Sequence, residues 1–96
     1  MPIFDYNVFY HFLLFSVNLV GNNAECSYEE VYFGYVPTKQ ECATLCAGVS
    51  SMFAYGNPPD RCEQGQCKCL CEYSASSDGT CSQNDNINFN LYRIGL

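Results

Sequence analysis

Three cysteines alternate with other residues in Cys67-Lys68-Cys69-Leu70-Cys71, and Cys42 and Cys46 stand four residues apart. Sulfur in such patterns can hold a metal, carry out redox exchange or form disulfides. Structural zinc uses Cys-x2–4-Cys pairs, a spacing that Cys42 and Cys46 on one helix would present. The single histidine, His11, lies in an apolar run far upstream and adds nothing to a thiolate site. Redox catalysts usually present Cys-x2-Cys at a helix start, a spacing absent here. Eight cysteines in 96 residues is the density of a disulfide scaffold, and an even count lets every thiol pair. Oxidation of all eight is expected, with no metal ligand and no cofactor.

Other chemistry is poorly served. Beyond His11 no imidazole exists to activate a serine or cysteine. Glu29 and Glu30 are neighbours, so on a strand they point to opposite faces and cannot converge on one substrate. No catalytic residue is assigned, and the chain is not expected to be an enzyme. Asn84-Asp85-Asn86 with Asn88 carries one charge and no downstream Glu that would complete an EF-hand loop. These four residues are read as the polar side of a strand. The formal net charge of −6, without any basic stripe, argues against nucleic acid and anionic membranes as partners. No Asn is followed two residues on by Ser or Thr, so there is no N-glycosylation acceptor.

The elements that must position the sulfurs can be read from periodicity. On a strand, residues 67, 69 and 71 share one face; on a helix, residues 42 and 46 do. Val8 to Val20 is mostly apolar and is followed by Gly21, Asn22, Asn23 and Ala24, the layout of a secretory leader. Residues 1–24 are read as that signal peptide, cut after Gly21 or Ala24, although Asp5 stands where a basic residue is usual. All eight cysteines survive the cut, and residues 25–96 form one domain, too short to rely on apolar burial alone. Stable membrane insertion is not expected once the leader is removed. Residues 28–36 read as a strand ended by Pro37. Thr38 and Glu41 have capping-box spacing at the start of a helix over 39–47. Its inward stripe is expected to be Cys42, Leu45 and Cys46, with Gly48 as a left-handed cap. Residues 52–55 read as a short strand closed by Gly56-Asn57-Pro58-Pro59. Residues 61–66 form a loop or tight hairpin, and 66–72 the sulfur-lined strand. A turn is expected at Asp78-Gly79. In 87–94, Ile87, Phe89 and Leu91 alternate with Asn88 and Asn90, the pattern of a half-buried strand.

These motifs, in this order, resemble a PAN/apple domain in its invertebrate, cysteine-rich form. The resemblance rests on Glu41-Cys42-Ala43-Thr44-Leu45-Cys46, Phe53-Ala54-Tyr55-Gly56, Cys67-Lys68-Cys69-Leu70-Cys71 and Asn90-Leu91-Tyr92-Arg93-Ile94. It covers about residues 25–95. It implies an α+β fold: a small disulfide-rich domain with one α-helix packed on a curved antiparallel sheet and disulfides joining the two. It also implies Cys26 and Cys81 as the outer pair, and a role in binding proteins or carbohydrates outside the cell. Eight cysteines exceed the family's usual four or six.

A pairing follows from matching steps. One helical turn and two strand residues are similar lengths, about 6 Å. Cys42 is expected to meet Cys71, Cys46 to meet Cys69, and Cys62 to close a short loop with Cys67. Of the aromatics outside the leader, Tyr32, Phe33, Phe53 and Phe89 read as core, while Tyr55, Tyr73 and Tyr92 could face outward. Tyr55 and Tyr73 with Arg61 and Lys68 are candidate ligand-binding residues, suited to a glycan or peptide. The expected function is that of a secreted, non-enzymatic, extracellular binding module with a protein or glycan partner. The rival is a small secreted effector, a toxin or defence peptide, acting on a receptor or channel.

Overall fold

The sulfur-lined run forms a central strand. In the computed structural model, which describes residues 16–95, the chain order is β1 (Ser16–Gly21), β2 (Ala24–Cys26), β3 (Val31–Val36), α1 (Lys39–Cys46), β4 (Met52–Gly56), β5 (Cys62–Glu63), β6 (Gln66–Cys71), β7 (Gln83–Asp85) and β8 (Phe89–Gly95). The main sheet is antiparallel in the order β1-β8-β4-β6-β3, with β5 folded back onto β6. β2 and β7 form a separate two-stranded ribbon. Over the described residues this is a small disulfide-rich α+β fold with one helix and an antiparallel sheet.

α1 starts where its cap predicts: the Glu41 N–H donates to Thr38 Oγ1 at 3.1 Å. Its end differs from expectation. Ala47 stays right-handed at φ −57°, and the Cys46 carbonyl accepts from both Val49 N–H (2.8 Å) and Ser50 N–H (2.9 Å). These bonds close the last turn without a left-handed glycine. The inward stripe also differs. Cys42, Ala43 and Cys46 are buried, while Leu45 is 43 % exposed. Ala43 and Leu45 flank the two cysteines almost symmetrically on the helix, so periodicity cannot choose between them. The two disulfides draw the helix close to the sheet, and the small side chain fits the gap.

Four disulfides are present and no described cysteine is free. Cys26 pairs with Cys81, and Cys62 with Cys67. The helix staples correct the expected exchange of partners: Cys42 bonds Cys69, and Cys46 bonds Cys71, with Cα–Cα separations of 5.6 and 5.2 Å. Step matching allows either register; chain direction decides. β3 runs antiparallel to β6. The helix folds back from β3 after Pro37 and so runs the same way as β6, bringing first cysteine to first and second to second. The bridges touch, with Cys46 Sγ 3.8 Å from Cys69 Sγ. Phe53, fully buried, lies in the same cluster and stacks on Tyr92 at 5.2 Å between ring centroids.

The opposite face of the sheet has two smaller clusters. Ala24, Cys26, Met52 and Leu91 pack under the ribbon, and Ala54, Leu70 and Phe89 form the second. Ile87, expected to point inward, is 75 % exposed, because β8 begins only at Phe89 and residues 87 and 88 form a turn. Gly79 has the positive φ, +81°, that the expected Asp78-Gly79 turn requires.

Ser16–Gly21, read from sequence as the end of a leader, is the edge strand beside β8, with Ser16 opposite Gly95 and Leu19 opposite Tyr92. A β-branched apolar run pairs readily with a free edge. The rest of the apolar run, with His11 and Asp5, lies outside the described residues. Among those described, no helix is long and apolar enough to cross a membrane.

Candidate functional site

Side-chain alternation on β6 sends Cys67, Cys69 and Cys71 toward α1 and leaves Lys68, Leu70 and Glu72 on the other face. Tyr32 stands opposite Leu70, and Tyr35 opposite Lys68. Three residues of β3 thus span two of β6, a bulge absorbed where Gly34 takes φ +89°. The bulge keeps Tyr32 and Tyr35 on the face away from the helix. Tyr32 is 55 % exposed, a correction to its reading as core, and Phe33 is exposed beside it. Without the bulge, alternation would place Tyr32 and Tyr35 on opposite faces.

Two of the four sequence candidates meet here. The Lys68 ammonium lies 4.8 Å above the Tyr32 ring, and the Arg61 guanidinium 6.0 Å from the Phe89 ring. The Lys68 N–H donates to the Arg61 carbonyl at 2.9 Å, tying the two backbones together. Cation–π contacts at such exposed sites contribute about 0.5–1 kcal/mol each and hold flexible cations over the rings. Tyr55 does not join them. It lies on the helix side, half-buried, with its hydroxyl donating to the Val36 carbonyl at 2.7 Å. Tyr73 is exposed beyond the other end of β6, where the Ser74 N–H donates to the Glu29 carbonyl. Tyr92, one of the tyrosines considered outward, is buried against Phe53 with Lys39 Nζ 5.1 Å over its ring.

A second constellation escaped the sequence. Glu25 on β2, Glu30 just before β3 and Glu72 just after β6 bring carboxylate oxygens within 4.8 Å of one another. Glu72 is fully buried. Its Oε2 accepts from the Cys26 N–H at 2.9 Å, and its Oε1 has no partner. Asn86 Nδ2 donates to Glu25 Oε2 at 2.7 Å. Burial above all, with a smaller contribution from the Glu25 charge, raises the Glu72 pKa to about 7, against the lowering influence of hydrogen bonds from the Cys26 amide and the Glu30 carboxyl. Glu30 is exposed as a residue, but partial desolvation of its carboxyl, then its hydrogen bond to Glu25 and the charge of Glu72, push that carboxyl well above the usual range. A glutamate after a cysteine strand reads as surface; the one available signal was alternation, which puts Glu72 on the face of Leu70.

Glu72 makes stability pH-dependent. An unfolded glutamate releases its proton near 4.5, whereas folded Glu72 keeps it to about 7. The folded state therefore suffers no penalty at acid pH and loses stability as pH rises between these values. The facing Glu25 charge deepens the loss, and Glu30, whose own carboxyl is held protonated above the usual range, adds to it. Melts in a chelating buffer are expected to show Tm falling from about pH 5 to about pH 8, with a flatter profile for Glu72→Gln. A profile that rises across this interval, or is unchanged by Glu72→Gln, would contradict the burial of a protonated carboxyl.

Comparison with known protein families, characterised proteins and solved structures finds no match to this chain.

Proposed function

We propose that this chain is a secreted, non-enzymatic binding module of PAN/apple type, and that its recognition surface is the sheet face away from the helix. The observation that carries this reading is the exposed Tyr32 ring capped by Lys68, with Tyr35 and Arg61 on the same face. Exposed aromatic rings stack on sugar faces or on apolar side chains, while adjacent ammonium and guanidinium groups donate to hydroxyls and carboxylates. A stapled sheet holds these groups in place before the ligand arrives, which lowers the ordering cost of binding. The ligand class is an extracellular protein or a carbohydrate. Secretion is supported by the disulfides, which persist in oxidising compartments. The PAN/apple assignment is supported by the order of cysteine motifs and by the helix-to-sheet staples.

A glycan array and an extracellular-protein pull-down, run with wild type and with Tyr32→Ala/Lys68→Glu, test the surface. The double variant is expected to melt within a few degrees of wild type and to lose at least about tenfold in affinity, since two central anchors are removed. Retained binding by the variant would place recognition elsewhere. Activity on ion channels, with no glycan or protein captured, would favour the small-effector reading instead.

A further inference from the structure

We propose that Glu25, Glu30 and Glu72 together bind a hard divalent cation, and that calcium is the ion that fits. Three carboxylates converge within 4.8 Å, and one of them is fully buried with an oxygen that has no donor. Buried carboxylate oxygens are rarely left unpartnered, because desolvation without compensation is costly. Among the described residues, no Lys or Arg acts on the Glu30 or Glu72 carboxyl.

The surroundings orient the ligands. The Cys26 N–H fixes Glu72 through Oε2, and Cys26 itself is anchored to Cys81. Asn86 fixes Glu25 through Oε2, while its own Oδ1 accepts from Asn88 N–H at 2.9 Å. Each of these contacts occupies one carboxylate oxygen, and the other remains to coordinate. Such support around first ligands is typical of metal sites. The third ligand, Glu30, is at the solvent-facing mouth, where water can complete the coordination. Calcium accepts six to eight oxygens in flexible geometry, whereas magnesium demands a near-ideal octahedron. The all-oxygen donor set disfavours softer metals. A shared proton can bridge only two carboxylates at a time; a cation meets all three. The ion would tie β2, the entry to β3 and the exit of β6 into one unit, a role independent of the aromatic surface.

Calorimetric titration of chelator-treated protein with calcium chloride, at mildly alkaline pH, tests this directly. One ion per chain is expected, with a dissociation constant of about 10⁻⁴–10⁻³ M, the range of extracellular calcium modules. Glu30→Gln and Glu72→Gln are each expected to weaken binding at least about tenfold, and Asp85→Asn on exposed β7 to leave it unchanged. Glu30→Gln is the safeguard against misfolding, since Glu30 is exposed and its variant keeps the buried carboxylate. Calcium is also expected to raise the Tm of wild type and not that of Glu72→Gln. Absence of binding, or binding equal in wild type and Glu30→Gln, would overturn the site and leave shared protons to satisfy the cluster. Tighter binding of magnesium than of calcium would overturn the assignment of the ion.

Discussion

Replacing Cys46 and Cys71 together with alanine is expected to remove about 2–5 kcal/mol of stability and to leave the chain largely unfolded at about 37 °C. Small domains command only about 5–15 kcal/mol in total, and a chain of this size stands near the lower end. The bridge has two effects. It closes a 25-residue separation, which restricts the unfolded chain. It also places two fully buried sulfurs in the main core, in contact with the Cys42–Cys69 bridge. Alanine at both positions leaves a void there in addition to the lost constraint. Thermal melting of the double variant measures the loss. A variant melting like wild type would show that the Cys42–Cys69 bridge and apolar packing hold the helix to the sheet without it.

Phe53→Ala is expected to cost about 3–5 kcal/mol, the usual range for a fully buried aromatic. Phe53 is the largest side chain with no exposure, and it lies in the cluster between the stapled helix and Tyr92. No larger side chain is available to relax into the space, since the disulfides pin both walls. Denaturant unfolding of Phe53→Ala against wild type measures the difference. A loss below about 1 kcal/mol would mean that the core collapses around the deletion, contrary to the rigidity ascribed to the staples.

The helix, β4 and β6 were legible because their signals are local and independent: a capped start, a turn-closed apolar run, and sulfur at period two. Direction was not legible. Cys42 with Cys69 and Cys42 with Cys71 satisfy the same step lengths, and only the antiparallel pairing of β3 with β6 chooses. β2 and β7 are three residues each, and Gln83-Asn84-Asp85 is exposed throughout, so neither has a periodic signature. β1 falls in the segment whose composition reads as a leader. The candidate surface was half legible. Arg61 and Lys68 stand out by charge, but Tyr32 reads as core, as aromatics on strands usually do, and its face is set by the Gly34 bulge, which has no sequence signature. Glu72 was invisible for a different reason. Its burial depends on β2 closing over the end of β6, a contact between residues 46 apart.

The central claim is that one helix is stapled, in parallel register, onto the sulfur face of β6, leaving Tyr32, Arg61 and Lys68 on the opposite face. Disulfide mapping of the unreduced protein tests it most directly. Cleavage after Leu45, Arg61, Lys68 and Leu70, under acid conditions that suppress thiol exchange, places Cys42, Cys46, Cys67, Cys69 and Cys71 on separate peptides. The peptide bearing Cys42 is expected to be linked to that bearing Cys69, and the Cys46 peptide to that of Cys71. Linkage of Cys42 to Cys71 and of Cys46 to Cys69 would contradict the account by reversing the helix on the sheet.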